Sequence, residues 1–213
     1  MIIVTGGAGF IGSNVVAALN ARGHDRILVV DDLTDGRKVQ NLSKLSIVDY
    51  CDKDDFLERL QAGAFNAAGI ESIFHLGACA STTEMDARFL MKNNYEYSKM
   101  ILDWCMTHQV QMIYASSASV YGSGEAGFSE ELRCEKPINP YAYSKYLFDQ
   151  RVRQFLGKSS SSIVGLRYFN VYGSGEEHKD NMASTALQLY KQLVQTGELR
   201  LFEGTDGFGN GEQ

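Results

Sequence analysis

The chain has 213 residues, of which 44% are hydrophobic and 22% are charged, a composition that can bury a full core. Its formal net charge of −6 argues against nucleic acid or an anionic membrane surface as the main partner. No apolar run approaches the roughly 20 residues that cross a bilayer, so no membrane-spanning segment is expected.

The first residues and the cysteines bear on the cellular compartment. The opening "MIIVTGG" has neither a basic leader nor a long apolar segment, so we expect no secretory signal. The four cysteines (Cys51, Cys79, Cys105 and Cys134) form no CxxC pair. This spacing predicts reduced thiols packed as small hydrophobes, rather than a metal site. We therefore expect a cytoplasmic protein without a bound metal.

The first strand, "MIIVTGG", leads through a glycine-rich turn into a helix predicted at "FIGSNVVAALNARG". In the turn "TGGAGFIG", Gly6, Gly9 and Gly12 form a GxxGxxG pattern, a variant of the commoner GxGxxG. Such glycines allow a tight turn and a close approach to a pyrophosphate, which then contacts the N–H groups of the helix N-terminus. Asp31 ends the second strand, "DRILVVDD", about 20 residues later. Together these features predict a dinucleotide-binding site.

The residues after the second strand leave the choice between NAD and NADP open. Asp31 would bond a ribose 2′-hydroxyl and so favour NAD. However, Arg37, Lys38 and Lys53 follow, and cations here could hold the 2′-phosphate of NADP. Ordinary surface charge explains them equally well.

The middle of the chain continues the alternation of strands and helices. The predicted order is a strand at "SIVDYCD", a helix at "KDDFLERLQAG", a strand at "ESIFHLGA" and a long helix at "FLMKNNYEYSKMILDWCMTHQ". A fifth strand at "VQMIYASSASVYG" runs into a serine-rich loop. Its end places Ser116 and Ser117 at the sheet edge where ligands bind in such folds, although local turn bonding would also explain these serines.

The next predicted helix, "NPYAYSKYLFDQRVRQFLG", carries Tyr141 and Lys145 four residues apart, on one face. A phenol titrates at about 10, and a neighbouring ammonium is expected to lower that pKa. Tyr141 can then exchange a proton with a carbinol while a nicotinamide exchanges the hydride. Tyr143, which has no such lysine, is expected to pack.

The chain ends with a sixth strand at "SSIVGLRYFNVYG", a helix at "NMASTALQLYKQLVQTG" and a strand at "ELRLFEG". Strands that alternate with helices predict an α/β fold: a doubly wound parallel sheet (Rossmann fold) with right-handed crossovers. We expect an NAD(P)-binding domain at 1–170 and, at 171–213, the start of a small, C-terminally truncated substrate domain.

Taken together, "TGGAGFIG", "HLGA", "SSASVYG", "YAYSK" and "RYFNVYG" resemble the extended short-chain dehydrogenases/reductases, the sugar-nucleotide epimerases and dehydratases. The resemblance covers essentially the whole chain. Within the family, "GACASTTE", "NNYEYSK" and "EEHKDNMAS" are most similar to members that epimerise a nucleotide-linked heptose for the lipopolysaccharide inner core. The resemblance implies a tightly held NADP, with NAD as the alternative, and a nucleotide-sugar substrate.

Site residues follow from the same resemblance by matching positions. It implies catalysis by Tyr141, Lys145, Ser117 and Lys179. Besides the three glycines, the implied cofactor contacts are Phe10, Ile11, Asp31, Asp32, Lys38, Lys53, Leu76, Gly77, Ala78, Cys79, Ala80, Asn93, Lys145 and Val171. The implied substrate contacts are Ser117, Asn170, Lys179, Asn181, Gln188, Phe202, Glu203, Gly204 and Thr205.

The resemblance gives Lys179 a specific role. Inverting a carbon requires proton exchange from two orientations of the ketone, so a second base is expected beside Tyr141. A working lysine base must be neutral, which requires a lowered pKa. The alternative is a solvated lysine in the acidic loop "GSGEEHKDNMAS".

The reaction class is narrowed by the residues after Ser117. Related dehydratases carry an acid there, whereas this chain has Ala118 and Ser119, which favours epimerisation. A hexose 4-epimerase and a cofactor-binding but inactive fragment are the alternatives. The resemblance further implies a homo-oligomer that pairs through helices at roughly 86–108 and 140–156.

Overall fold

A computed structural model describes residues 1–158, 160–201, 203, 204 and 209. The chain comprises two compact units, Met1–Phe169 and Asn170–Gln213. Among the described residues, no helix has both the length and the apolar character needed to cross a membrane.

The first unit is built on a six-stranded parallel sheet. Its strands are β1 (Ile2–Thr5), β2 (Ile27–Asp31), β3 (Asp49–Asp52), β4 (Ser72–His75), β5 (Gln111–Ser117) and β6 (Ile163–Tyr168). The order is β3-β2-β1-β4-β5-β6, and every neighbouring pair is parallel. The chain changes direction across the sheet between β1 and β4, which opens a crevice at the carboxyl ends of these strands. The predicted Rossmann fold is confirmed.

Helices cover both faces of this sheet. They are α1 (Phe10–Asn20), α2 (Val39–Leu42), α3 (Lys53–Gln61), α4 (Ala87–Leu90), α5 (Tyr97–His108) and α6 (Pro140–Arg153). Short 3₁₀ turns lie at Gly36–Lys38, Ala67–Gly69, Ala118–Tyr121 and Leu132–Cys134.

Successive residues of the strands point to opposite faces of the sheet and pack in two separate hydrophobic clusters. On one face Ile3 packs in a cluster with residues of β2, α5 and α6, while Ile2 and Val4 pack on the other with Val16 of α1. Burial of both faces explains why β1 and β2 are continuous apolar runs rather than alternating ones.

The start of α6 is fixed by its own sequence. Asn139 caps the helix, its Oδ1 accepting from the Ala142 N–H at 2.7 Å, and Pro140 occupies the first turn. This cap places the predicted Tyr141 in the first turn of the helix, close to the end of β5.

Three local expectations differ from the structure. The long helix predicted at 89–109 contains a π-helical turn at Met91–Glu96, between α4 and α5. Tyr143 was expected to pack but is 48% exposed, because it lies on the outer face of α6. Residues 198–201, 203 and 204 do not form the predicted strand. There the Arg200 N–H donates to the Gln192 side chain at 2.6 Å instead of to a neighbouring strand.

The second unit contains one α-helix among its described residues, α7 (Thr185–Thr196), preceded by a 3₁₀ segment at Glu177–Met182. Ser184 caps α7 through its hydroxyl, which accepts from the Leu187 N–H at 3.1 Å. Gly197, with φ of 75°, ends the helix.

Candidate active site

The turn between β1 and α1 requires glycine at two of the predicted positions. Gly6 has φ of +68°, and a Cβ there would lie 2.6 Å from the Gly77 nitrogen. A Cβ on Gly12 would lie 2.0 Å from the Gly6 carbonyl oxygen. The turn therefore brings its backbone against both the segment after β4 and α1, leaving the narrow cradle that a pyrophosphate needs.

Asp31 holds this turn in place. Its Oδ2 accepts from the N–H groups of Ala8 at 2.8 Å and Gly9 at 3.2 Å. Its Oδ1 accepts from the Asp32 N–H at 2.8 Å and from Lys38 Nζ at 3.0 Å. The sequence motif predicts a ribose contact for Asp31, but not this link to the glycine-rich turn.

A cavity of about 270 Å³ opens at the carboxyl ends of β1 and β4. It brings together nine of the predicted cofactor residues: Gly6, Asp31, Asp32, Lys38, Lys53, Gly77, Ala78, Cys79 and Asn93. The other lining residues were not predicted: Thr5, Val30, Phe89 and Tyr97. Phe89 and Tyr97 belong to α4 and α5, and only the fold shows that these helices pass this strand edge. Some predicted cofactor residues of the glycine motif and of the segment after β4 do not line the cavity: Gly9, Phe10, Ile11, Gly12, Leu76 and Ala80.

Positive charge lies at one end of this cavity. Lys38 Nζ also donates to the Asp32 carbonyl at 2.9 Å, and Lys53 pairs with Asp54 at 3.1 Å. The pKa of Asp32 is lowered, first by hydrogen bonds from Thr34 and also by the charges of Lys38 and Lys53. Both lysines therefore place positive charge beside Asp32, which lines the cavity with them.

The predicted catalytic residues of the first unit meet at the junction of α6 and β5. Lys145 Nζ donates to the Ala115 carbonyl at 2.9 Å, and Tyr141 interacts with the hydroxyl of Ser117. Cys79, which lines the cavity, is linked to α6 through Asn94, which bonds both Cys79 and Ser144. The pair thus lies beside the cavity wall.

Burial dominates the electrostatics of this pair. It raises the pKa of the Tyr141 phenol, and the Ser117 interaction works in the opposite direction. The expected lowering by the neighbouring ammonium is therefore wrong for this arrangement. Burial also lowers the pKa of Lys145 to about 8, against the charge of Asp149. A desolvated phenol holds its proton more firmly, because burial disfavours the charged form.

A chain of buried hydrogen bonds beneath the cavity was not predicted. The Gly77 N–H donates to Thr5 Oγ1 at 3.1 Å, Thr5 lies 2.7 Å from His75 Nδ1, and His75 Nε2 lies 2.7 Å from Ser98 Oγ. The Ser98 hydroxyl donates to the Asn94 carbonyl, so it accepts from Nε2–H, which leaves Nδ1 to accept from Thr5. Burial, helped by the charge of Lys145, lowers the pKa of His75 to about 3.

Asn94 links the cavity wall to α6. Its Oδ1 accepts from the Cys79 N–H at 2.8 Å, and its Nδ2 donates to the Cys79 carbonyl at 3.0 Å and to Ser144 Oγ at 3.1 Å. Ser144 in turn donates to the Tyr141 carbonyl at 2.7 Å. The resemblance identified only the neighbouring Asn93, because the sequence does not indicate which asparagine of the pair points inward.

The remaining predicted residues lie in the second unit. Lys179 lies in the 3₁₀ segment, where its N–H donates to the Glu176 carbonyl at 3.0 Å. The Glu176 carboxylate accepts from the Gly173 N–H at 3.1 Å and from the N–H and hydroxyl of Ser184. Gln188 donates to the carbonyls of Asn181 and Ala183 at 3.1 and 2.7 Å.

Two other predicted substrate residues, Asn170 and Glu203, are exposed, and a third, Gly204, is half-buried. Val171, a predicted cofactor residue, is also half-buried. Phe202 and Thr205 lie outside the described residues.

Comparisons with known proteins bear on what this arrangement serves. The model of the NAD dependent epimerase/dehydratase family matches residues 2–213. The ADP-L-glycero-D-manno-heptose-6-epimerase of Alkalilimnicola ehrlichii is 52% identical over 213 residues, which are 100% of this chain and 66% of the relative. The chain therefore spans about two thirds of that relative's length.

Two solved structures extend the comparison. The Helicobacter pylori ADP-L-glycero-D-manno-heptose-6-epimerase matches with a TM-score of 0.81 and 32% identity, over 95% of this chain and 65% of that one. The Bacillus cereus UDP-glucuronic acid 4-epimerase in complex with NAD matches with a TM-score of 0.76 and 26% identity, over 97% of this chain and 66% of that one.

Proposed function

The chain belongs to the NAD dependent epimerase/dehydratase family, and from this we propose that it acts in epimerising ADP-D-glycero-D-manno-heptose at C6 to ADP-L-glycero-D-manno-heptose. The observation that carries the proposal is the 52% identity, over the whole chain, to an ADP-L-glycero-D-manno-heptose-6-epimerase. The geometry supports it, because Tyr141, Lys145 and Ser117 converge beside a cavity suited to a dinucleotide. The product would serve the synthesis of the lipopolysaccharide inner core.

In this proposal, the cavity beside the glycine-rich turn would hold a nicotinamide cofactor, which would supply reversible hydride transfer at C6. Tyr141 removes the proton of the C6 hydroxyl, and Ser117 donates a hydrogen bond to that oxygen as its charge changes. Lys145, one helical turn from Tyr141, would bind the ribose of the nicotinamide. Lys179 exchanges the proton in the second orientation of the ketone, and Asn170, Asn181, Gln188 and residues 202–205 contact the substrate.

We propose NADP as the cofactor. Two lysines, Lys38 and Lys53, act on the acidic end of the cavity where the adenosine ribose would lie, and a 2′-phosphate would find positive charge there. Mass spectrometry of the cofactor released from the purified protein tests this directly. Release of NAD alone would overturn the NADP assignment without touching the reaction.

The reaction is tested by incubating the protein with ADP-D-glycero-D-manno-heptose and following the C6 configuration by NMR. We expect conversion of this substrate and none of UDP-galactose. The opposite preference would favour a hexose 4-epimerase, the reaction class of the Bacillus cereus neighbour.

The second base is tested by Lys179→Ala. This variant should lose epimerisation by at least about 100-fold, the usual size of an acid–base contribution, while keeping bound cofactor. Lys191→Ala, an exposed lysine on α7, is the matched control and should keep full turnover. Normal turnover by Lys179→Ala would contradict the two-base mechanism.

We further propose that the protein acts as a homo-oligomer. Sedimentation equilibrium measures this, and a monomer at all concentrations would contradict it.

A further inference from the structure

Three buried side chains follow one another along α6. Tyr141, Lys145 and Asp149 recur at four-residue spacing, which places them on one face of the helix. Their exposures are 9%, 8% and 5%. The proposed chemistry uses the phenol and the ammonium but makes no use of the carboxylate.

Three side chains hold the Asp149 carboxylate. Tyr114 donates to Oδ1 at 2.9 Å, and Ser116 donates to Oδ2 at 2.8 Å. Arg167 donates to Oδ2 through Nε at 3.2 Å and Nη2 at 3.1 Å. Since Tyr114 and Ser116 belong to β5 and Arg167 to β6, the carboxylate joins α6 to two strands.

The same stretch of β5 meets the catalytic lysine. Ala115, between Tyr114 and Ser116, accepts from Lys145 Nζ at 2.9 Å. The register of α6 along β5 is therefore set by Asp149 and Lys145 together. This register determines where Tyr141 meets Ser117, the last residue of β5.

The charge of Asp149 also affects the pKa of Lys145. Burial lowers the pKa of Lys145 to about 8, and Asp149 acts against that fall. The charge of Lys145 in turn contributes to lowering the pKa of His75. On its other side Asp149 faces Arg167, which also donates to Glu135, and Arg153 donates to Glu135 as well.

We propose that Asp149 is a positioning residue of the active site, which fixes α6 against β5 and supplies the counter-charge of the buried Lys145 ammonium. Removing this carboxylate takes away an opposite charge one helical turn from the ammonium, so Lys145 loses its proton at lower pH. The catalytic meaning of this rests on the proposed function, whereas the effect on Lys145 does not.

The test is an NMR titration of Lys145 in chains with ¹³C-labelled lysine. Its Cε signal is identified by its absence in Lys145→Met. In Asp149→Asn the titration midpoint should fall by about one pH unit, because the opposite charge one helical turn away is lost. Glu135→Gln is the matched control, because Glu135 shares Arg167 with Asp149 but does not act on Lys145. Its midpoint should stay unchanged.

A second variant guards against loss of the fold. Asp149→Asn leaves Arg167 short of a partner, whereas Asp149→Asn combined with Arg167→Gln removes both charges and should lower the midpoint relative to Arg167→Gln alone. An unchanged midpoint in whichever of these variants is folded would overturn the proposal, as would an equal fall in Glu135→Gln. Absence of epimerase activity leaves the titration readable, so failure of the proposed function and failure of this inference are distinguishable.

Discussion

At the scale of single residues, the shape of the glycine-rich turn depends on how closely its backbone approaches the start of α1. A Cβ added to Gly12 would lie 2.0 Å from the Gly6 carbonyl oxygen, well inside contact distance. Position 12 therefore requires a residue without a side chain, and this allows α1 to begin directly against the turn. Asp31 then holds the turn from outside through two N–H groups.

Gly12→Ala should disrupt this packing. Overpacking of this kind costs about 1–3 kcal/mol, and the shifted turn should weaken dinucleotide binding at least tenfold. Urea unfolding and calorimetric titration with NADP and NAD measure the two effects.

Gly36→Ala is the matched control, since nothing lies within 4 Å of a Cβ at that position. It should change stability by less than about 0.5 kcal/mol. If Gly12→Ala behaved like Gly36→Ala in both measurements, the steric explanation would be wrong.

At the scale of elements, the π-helical turn at Met91–Glu96 positions a buried amide. Asn94, within this turn, is 1% exposed and bonds both backbone groups of Cys79. A π-helical turn displaces the residues around it relative to an α-helix, and such turns recur at functional sites. Here it joins the cavity wall to Ser144 of α6.

Asn94→Asp should break this junction. The carboxylate would lose both donated hydrogen bonds and place an unpaired charge in the interior, at a cost of about 3 kcal/mol or more. Because a buried carboxylate has a raised pKa, the cost should shrink as the pH falls and the acid becomes neutral. Urea unfolding at pH 7.5 and at pH 5 measures both effects.

Asn93→Asp is the adjacent control. Its amide makes an exposed bond to the Phe89 carbonyl at 2.9 Å. We expect a cost below about 1 kcal/mol and little change with pH. Equal costs at the two positions would show that burial of Asn94 does not matter.

The helices and strands differ in how well the sequence predicts them and the residues of the site that they carry. Apolar runs predict β1 and β2 because both faces of these strands are buried. The glycine pattern and the four-residue spacing of Tyr141 and Lys145 predict the two ends of the proposed site, because those chemistries need fixed spacings. Asp31, Asn94 and Asp149 are different. Their partners are backbone or side-chain groups of distant segments, and the side chains that face each other are determined only by the packed fold. The π turn likewise leaves no periodic signal over only six residues.

At the scale of the whole molecule, the cores and the cavity belong to one unit. Within the part of the chain that the structure describes, the three hydrophobic clusters consist of residues between Met1 and Ile163. The residues that line the cavity lie between Thr5 and Tyr97. In contrast, no residue of α7 is buried. Stability and dinucleotide binding should therefore both be properties of Met1–Phe169.

A chain of residues 1–169 tests this view. It should unfold cooperatively, with a midpoint within about 5 °C of that of the 213-residue chain, because it retains every buried cluster described. It should bind NADP or NAD within about tenfold of the longer chain, the equivalent of roughly 1.4 kcal/mol. Circular dichroism and calorimetric titration are the measurements. A non-cooperative transition would mean that residues 170–213 complete the fold, whereas a stable chain without binding would assign them, including Val171, a share of the cofactor site.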